Sequence, residues 1–281
     1  MAKSGPIYVL GATSMPGWSL ISNPGGEELI PCCNPHIKLP VCAGWTRFKL
    51  EDERAYRTLF SRRRPKAIIH CGGVCDVEKC EADPAWARRV NVEGLKHLLA
   101  YAPEDAKLVY VSSDHVFGGR PRPYDEKAAP EPISVYGKTR VEAERRILDL
   151  RKDALILRCS LGIGPSIDGR SGHLDWLRHR RRRGLPITII RGEFRSAVPA
   201  ADLARRILAY ANSPVTGIRH ITAARAASRV ELADRLIARH RLGARFTIRS
   251  RKERPVPHLG RVELATAYRD ALAAPLPSAL D

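Results

Sequence analysis

LVYVSSDHVFGG, residues 108–119, is the stretch that decides the fold. Its first four residues, Leu108–Val111, are branched and aromatic, which is typical of a buried strand in a parallel sheet. The run stops at Ser112-Ser113-Asp114, so polar side chains follow the carboxyl end of the strand. In a doubly wound sheet, ligands bind at these strand ends. We therefore expect an α/β fold with a doubly wound parallel sheet and a ligand site beyond Val111.

A second segment, YGKTRVEAERRILDL at residues 136–150, has apolar residues spaced among charges as in an amphipathic helix. Tyr136 and Arg140 are four residues apart, so they share a helix face. Together with Ser113 they suit carbonyl reduction by a nicotinamide. The phenol gives a proton to the developing alkoxide, the cation lowers the phenol's pKa, and the serine orients the substrate oxygen. We predict Tyr136, Arg140 and Ser113 as catalytic residues.

Two turns of small residues predict a dinucleotide site. Ile7–Leu10 is expected to form the first strand and runs into GATSMPG, residues 11–17. Such a turn lets backbone N–H groups and the following helix meet a pyrophosphate, as in a Rossmann-type sheet. Ala67–His70 predicts another buried strand, followed by Cys71-Gly72-Gly73. The expected cofactor-binding residues are Gly11, Thr13, Ser14, Met15, Gly17, Cys71, Gly72, Gly73, Tyr136 and Arg140.

The segment after the second predicted strand bears on the choice of cofactor. An NAD site normally places an acidic residue there to hold the ribose 2′-hydroxyl. Residues 32–38 contain none, but they include His36 and Lys38. This pattern favours the 2′-phosphate of NADP(H), with NAD(H) possible. The alternative is that both are ordinary loop residues.

Three motifs resemble the extended short-chain dehydrogenase/reductase family. They are SSDHVF at 112–117, PYDE at 123–126 and YGKTR at 136–140. Within that family they are similar to dTDP-4-dehydrorhamnose reductases and to the methionine adenosyltransferase beta regulatory subunit. The resemblance covers nearly the whole chain. It implies a smaller C-terminal substrate lobe and four substrate-site residues: Asn91, which helps to order the active site, Asp114, His115, and Arg195 as a diphosphate contact.

The chain departs from the family pattern at four positions. Ser14 stands where the family has a glycine, and Arg140 stands where it has its catalytic lysine. His115 replaces a tyrosine and Leu161 an aromatic residue, both at positions that face the substrate in the family. Arginine keeps the positive charge but has a bulkier, planar fork. The substrate and the turnover are therefore the open questions.

Length and composition limit the remaining possibilities. The 281 residues are enough for one large α/β domain or for a domain with a smaller lobe. The resemblance implies a Rossmann domain at 1–164 and a substrate lobe at 165–281, with 199–224 returning to the sheet. No apolar run approaches the roughly 18 residues of a membrane helix, so a cytoplasmic protein is expected. The net charge of +18 would allow nucleic-acid binding, but aromatic residues make up only 6% of the chain, so nucleic acid is an unlikely partner. The cysteine spacings match no zinc site, and no metal is expected. The seven cysteines are expected to be reduced thiols.

Three functions fit these observations. The first is an NADP-dependent reductase of a nucleotide-activated 4-keto-deoxysugar. The second is a catalytically silent cofactor-binding protein that regulates or scaffolds a partner. The third is an oxidoreductase of the same fold with a non-sugar substrate in specialised biosynthesis. A homo-oligomer is possible in each case.

Overall fold

The structure, a computed structural model, describes residues 4–253 and 255–281. Its strands are β1 (Ile7–Leu10), β2 (Leu29–Cys33), β3 (Thr46–Arg47), β4 (Ala67–His70), β5 (Lys107–Ser113), β6 (Leu155–Cys159), β7 (Gly162–Ile163), β8 (Thr188–Arg191), β9 (Phe194–Arg195), β10 (Val198–Pro199), β11 (Gly217–His220), β12 (Ala227–Ser228), β13 (Thr247–Ser250) and β14 (Arg261–Val262). Its α-helices are α1 (Met15–Ser22), α2 (Glu53–Leu59), α3 (Val77–Ala82), α4 (Pro84–Arg88), α5 (Gly94–Tyr101), α6 (Val135–Leu150), α7 (His173–Arg182), α8 (Ala200–Ala211) and α9 (Arg229–Arg239).

Seven parallel strands form the main sheet, in the order β11-β6-β5-β4-β1-β2-β3. The order runs outward from β1 in both directions, so the sheet is doubly wound. Strands β1, β4 and β6 are buried at every residue because helices cover both faces. The expected Rossmann-type α/β fold is confirmed.

Helix α6 sets the position of the predicted catalytic residues. It begins at Val135 because Ser134 caps it, its Oγ accepting a hydrogen bond from Gly137 N at 3.1 Å. The buried face of α6 includes Ala143 and Ile147, which pack in one of the two sheet-flanking cores. The first turn of α6 therefore lies beside the end of β5.

The remaining elements form a C-terminal lobe made of α7, α9, β8, β9 and β12–β14. Strand β13 pairs in parallel with β8, and β9 lies between β12 and β14. A separate core that includes Leu177, Ile189 and Leu236 holds the lobe together. Between these lobe segments, α8 packs on the α1 side of the main core and β11 joins the main sheet beside β6.

The seven cysteines are all free thiols, and Cys75 is the exposed one. Within residues 4–253 and 255–281, no group of three or more His, Cys, Asp or Glu side chains is arranged to hold a metal ion. In the same ranges, every helix is too short or too polar to cross a membrane.

Candidate active site

A cavity of about 1110 Å³ opens at the carboxyl ends of β1, β4, β5 and β6. On the sheet side its wall contains residues at these strand ends, among them Gly11, Cys71, Ser113 and Cys159. The opposite wall comes from the C-terminal lobe. The predicted site residues on its lining are Gly11, Thr13, Ser14, Met15, Cys71, Gly72, Gly73, Ser113, His115, Tyr136, Arg140 and Arg195.

The two small-residue turns pack against each other with no room for side chains. Gly11 has φ +75°, and a Cβ there would overlap Gly72. A Cβ on Gly73 would lie 2.6 Å from Asn91 Oδ1 and 3.0 Å from Arg140 Nη2. Gly17 lies behind the cavity wall, where a Cβ would overlap the Gly11 carbonyl oxygen. Gly17 therefore permits close packing of α1 on the turn rather than direct ligand contact.

Ser14 occupies its position without needing the freedom of a glycine. Its φ is −68° and its ψ is 164°, which any residue adopts. Its Oγ accepts a hydrogen bond from Gly17 N at 3.2 Å and so caps α1. The departure from the family glycine gives this helix a side-chain cap at the turn.

Tyr136, Arg140 and Ser113 come together at one side of the cavity. The Arg140 guanidinium carbon lies 5.1 Å from the centroid of the Tyr136 ring. Burial raises the pKa of Tyr136 to about 12, although Arg140 and a hydrogen bond with Ser113 act to lower it. The phenol is therefore protonated at neutral pH, the state required of a proton donor.

Arg140 is held by one group on strand β5 and one in the turn that follows β4. Its Nη1 donates to the Tyr110 hydroxyl at 2.7 Å, and its Nη2 donates to the Gly72 carbonyl at 3.3 Å. Its Nε is buried and has no hydrogen-bond partner in the described part of the chain. Nε is thus an enclosed donor, and the guanidinium is fixed through its two terminal nitrogens.

Asn91 orders the site from behind the wall. Its Oδ1 accepts from Val74 N at 2.7 Å, and its Nδ2 donates to the Val74 carbonyl and to Thr139 Oγ1, each at 3.0 Å. Residues Arg89–Glu93 form a π-helical turn that carries Asn91. Because Val74 and Thr139 engage the side-chain amide of Asn91, the structure fits the expected ordering role better than a direct substrate contact.

Asp114 and Arg195 have a different arrangement from the one expected for substrate contacts. Both are buried, and Asp114 accepts from Arg195 Nε at 2.6 Å and from Nη2 at 2.5 Å. Arg195 Nη1 donates to Glu193 at 2.9 Å. The two carboxylates engage three of the five N–H donors of Arg195, and Asp114 lies behind the wall. Each residue neutralises the other, and their roles as substrate contacts stay predictions.

His115 lies in the wall next to the predicted proton donor. Its ring packs edge-on against Tyr136, with centroids 5.2 Å apart. Burial, with a contribution from Arg195, lowers the pKa of His115 to about 4. Its Nδ1 has no hydrogen-bond partner among the described residues. A neutral imidazole with a vacant nitrogen suits the role of a polar substrate contact.

The lobe contributes residues that the sequence did not identify. They are His173, Trp176, Arg180, Arg229 and His258, which all line the cavity. The Arg180 guanidinium carbon lies 5.3 Å from the Trp176 ring centroid, and this pair could have been found from its i, i+4 spacing. Arg229 reaches Glu193 at 3.4 Å, and its Nε has no partner in residues 4–253 and 255–281. No sequence signal pointed to Arg229 or His258.

The part of the cavity wall next to β2 is also compatible with a bound dinucleotide. Cys32, Cys33 and Asn34 line the cavity there, and none carries the carboxylate that would favour a free 2′-hydroxyl. His36 and Lys38 are exposed residues outside the lining. The glycine turns also fit this group, because backbone there can approach a phosphate closely.

Comparisons with known proteins agree with this architecture. The family model described as RmlD substrate binding domain matches residues 5–266. The probable dTDP-4,6-dihydroxy-2-methyloxan-3-one 4-ketoreductase of Streptomyces antibioticus is 32% identical over 214 residues, which cover 74% of this chain and 71% of that protein. Methionine adenosyltransferase 2 subunit beta of Xenopus laevis is 37% identical over 116 residues, 41% of this chain and about a third (35%) of that protein.

A solved structure shares the fold over nearly the full length. The dTDP-4-dehydrorhamnose reductase of Bacillus anthracis str. Ames, in complex with NADP, superposes with a TM-score of 0.81 at 21% identity. The match covers 98% of this chain and 96% of that one.

Proposed function

The chain belongs to the RmlD substrate-binding domain family, and from this premise we propose that it is an NADP-dependent reductase of a nucleotide-activated 4-keto-deoxysugar. The observation that carries the proposal is the convergence of Tyr136, Ser113 and Arg140 beside the two glycine turns. The resemblance to a ketoreductase and to an NADP-bound reductase structure supports the same choice.

Cofactor binding is assigned to the sheet side of the cavity. The turns at 11–15 and 71–73 would hold the dinucleotide, since backbone there can approach a phosphate closely. Arg140 lines the cavity with its Nη2 beside the turn at Gly73, and its positive charge would lie next to the nicotinamide ribose. When bound, the reduced nicotinamide supplies the hydride.

The chain's own groups handle the carbonyl oxygen. Ser113 Oγ orients it, and the Tyr136 hydroxyl holds the proton that the developing alkoxide receives. Arg140 keeps positive charge beside the phenol and so stabilises the tyrosinate left after proton transfer. The cavity's buried wall keeps bulk water from these groups.

The sugar nucleotide is assigned to the lobe side. Arg229 and Arg180 supply positive charge for the diphosphate, and Trp176 supplies an aromatic surface for the base. His115 is placed beside Tyr136, so its vacant Nδ1 would meet the sugar ring. In this proposal Arg229 takes the role that the sequence had suggested for Arg195.

The second candidate is a cofactor-binding protein without turnover. The observation in its favour is Arg140, whose fork is fixed by Tyr110 and Gly72 at the position of the family's catalytic lysine. The partial resemblance to an adenosyltransferase beta subunit points the same way.

Binding and turnover separate the candidates. NADPH and NADH are titrated by fluorescence, and NADPH oxidation is followed with a panel of nucleotide 4-ketosugars. We expect saturable NADPH binding and turnover with at least one sugar, with Tyr136→Phe losing about 100-fold or more of the rate while still binding NADPH. Binding without turnover on any sugar would favour the silent protein or a non-sugar substrate.

A further inference from the structure

Arg140 differs from the other deeply buried arginines near the site. Arg158 forms a bidentate pair with Glu144, and Arg195 pairs with Asp114. Among the described residues, Arg140 donates to a phenol and a carbonyl, both uncharged at neutral pH, since burial raises the pKa of Tyr110. A guanidinium buried among neutral partners depends on each of its hydrogen bonds.

Tyr110 is the stronger of the two supports. Its hydroxyl accepts from Nη1 at 2.7 Å, whereas the Gly72 carbonyl is 3.3 Å from Nη2. Tyr110 lies on the central strand β5, fully buried, and is not among the cavity-lining residues. Its hydroxyl is therefore connected to the site through the hydrogen bond from Arg140.

The need for this support follows from the arginine itself. A lysine ammonium is a compact charge that can rotate its donors toward whatever acceptor is near. A guanidinium is planar and has five donors in fixed directions, so buried donors need acceptors in set places. The rings of Tyr110 and Tyr136 flank the guanidinium carbon at 5.5 and 5.1 Å.

We propose that Tyr110 is a positioning residue, whose hydroxyl fixes the Arg140 fork so that the positive charge stays between Tyr136 and the turn at Gly73. The catalytic role of this contact rests on the proposed function. The contact itself does not depend on turnover, so it is tested by binding and by structure.

The binding test is a double-mutant cycle in NADPH affinity. Tyr110→Phe removes the acceptor, and we expect the Kd to rise about tenfold, because a hydrogen bond to a charged group is lost. In an Arg140→Met background the same change should alter the Kd by less than about twofold. Tyr110→His keeps a neutral ring acceptor and should recover most of the affinity. An equal effect of Tyr110→Phe in both backgrounds would overturn the proposal.

Tyr8→Phe is the matched control. The Tyr8 hydroxyl is also buried and donates to the carbonyls of Leu59 and Arg63, away from Arg140. We expect its removal to leave NADPH affinity within about twofold, whatever it does to stability. A tenfold loss here too would show that any buried hydroxyl matters and would remove the special role of Tyr110.

Crystal structures of the ligand-free wild type and Tyr110→Phe decide the matter even if NADPH fails to bind. We expect the guanidinium to leave its place beside Tyr136 in the variant. An unmoved guanidinium would overturn the inference, whereas absent NADPH binding in the wild type would overturn the proposed function alone.

Discussion

Asp114 accepts hydrogen bonds from both Nε and Nη2 of Arg195, and the pair joins the end of β5 to the C-terminal lobe. Both side chains are almost fully buried. Glu193, which also bonds Arg195, has a second positive neighbour in Arg229, a partly exposed residue of the cavity lining. Two carboxylates and two guanidinium groups thus compensate each other between the end of β5 and the lobe.

Breaking this pair should be costly. Asp114→Asn leaves the Arg195 charge without its bidentate partner, and we expect a loss of about 3 kcal/mol in the free energy of unfolding. Urea denaturation measures it. Asp105→Asn is the matched control, because its pair with Arg64 is exposed and should contribute less than about 1 kcal/mol. Equal losses of unfolding free energy in the two variants would contradict the claim that Asp114→Asn leaves the buried Arg195 charge without compensation.

The parallel sheet could be predicted because its strands are unbroken apolar runs. Ala67–His70 was predicted with the bounds it has, and the catalytic helix began one residue before Tyr136. The lobe strands were harder because most are two residues long. Strand β13 is exposed for most of its length, so it lacks the alternation that would mark it.

The site was predictable where its residues share a turn or a helix, and less so where distant segments meet. The pairing of Arg195 with Asp114 could not be predicted because the two residues are 81 positions apart in the chain. The same limit hid Arg229 and His258, which reach the cavity only through the packing of the lobe. Charge compensation between remote residues decides which arginine keeps free donors, and a single sequence does not contain that pairing.

Ser14 offers a direct test of the helix cap. We expect Ser14→Ala to lower the free energy of unfolding by about 1 kcal/mol, since the Gly17 N–H loses its acceptor. Ser14→Gly, which restores the family residue, should cost only a few tenths of a kcal/mol. Thermal or urea unfolding distinguishes the two. If alanine and glycine are equally costly, the hydroxyl is not acting as a cap.

Buried histidines should make the protein sensitive to mild acid. Burial lowers the pKa of His70 to about 3, and that of His115 and His220 to about 4. Between pH 6.5 and 4 these histidines are protonated in the unfolded chain but neutral in the folded protein. The free energy of unfolding therefore falls as the pH falls. Each contributes up to about 1.4 kcal/mol per pH unit.

The measurement is urea unfolding at pH 7.5, 5.5 and 4.5. His115→Gln removes one such group. It should reduce the slope of the free energy of unfolding against pH by the contribution of one proton. It suits the test because Nδ1 of His115 has no partner to lose within the described chain. His36→Gln, at an exposed position, is the control. An unchanged slope in His115→Gln would mean that this imidazole is protonated in the folded protein.

Arg229 should affect the sugar nucleotide and leave the cofactor alone. Its guanidinium has one long bond to Glu193 and an unpartnered Nε in the described lobe, so it retains donors for a diphosphate. We expect Arg229→Met to raise the KM for the sugar nucleotide about tenfold or more, the loss of a charge-assisted hydrogen bond, with NADPH affinity within about twofold. Arg225→Met is the control, because this nearby arginine pairs with Glu231 and does not line the cavity. Loss of NADPH affinity in Arg229→Met would mean that the residue contacts the cofactor. An unchanged KM would mean that Arg229 does not bind the diphosphate of the sugar nucleotide.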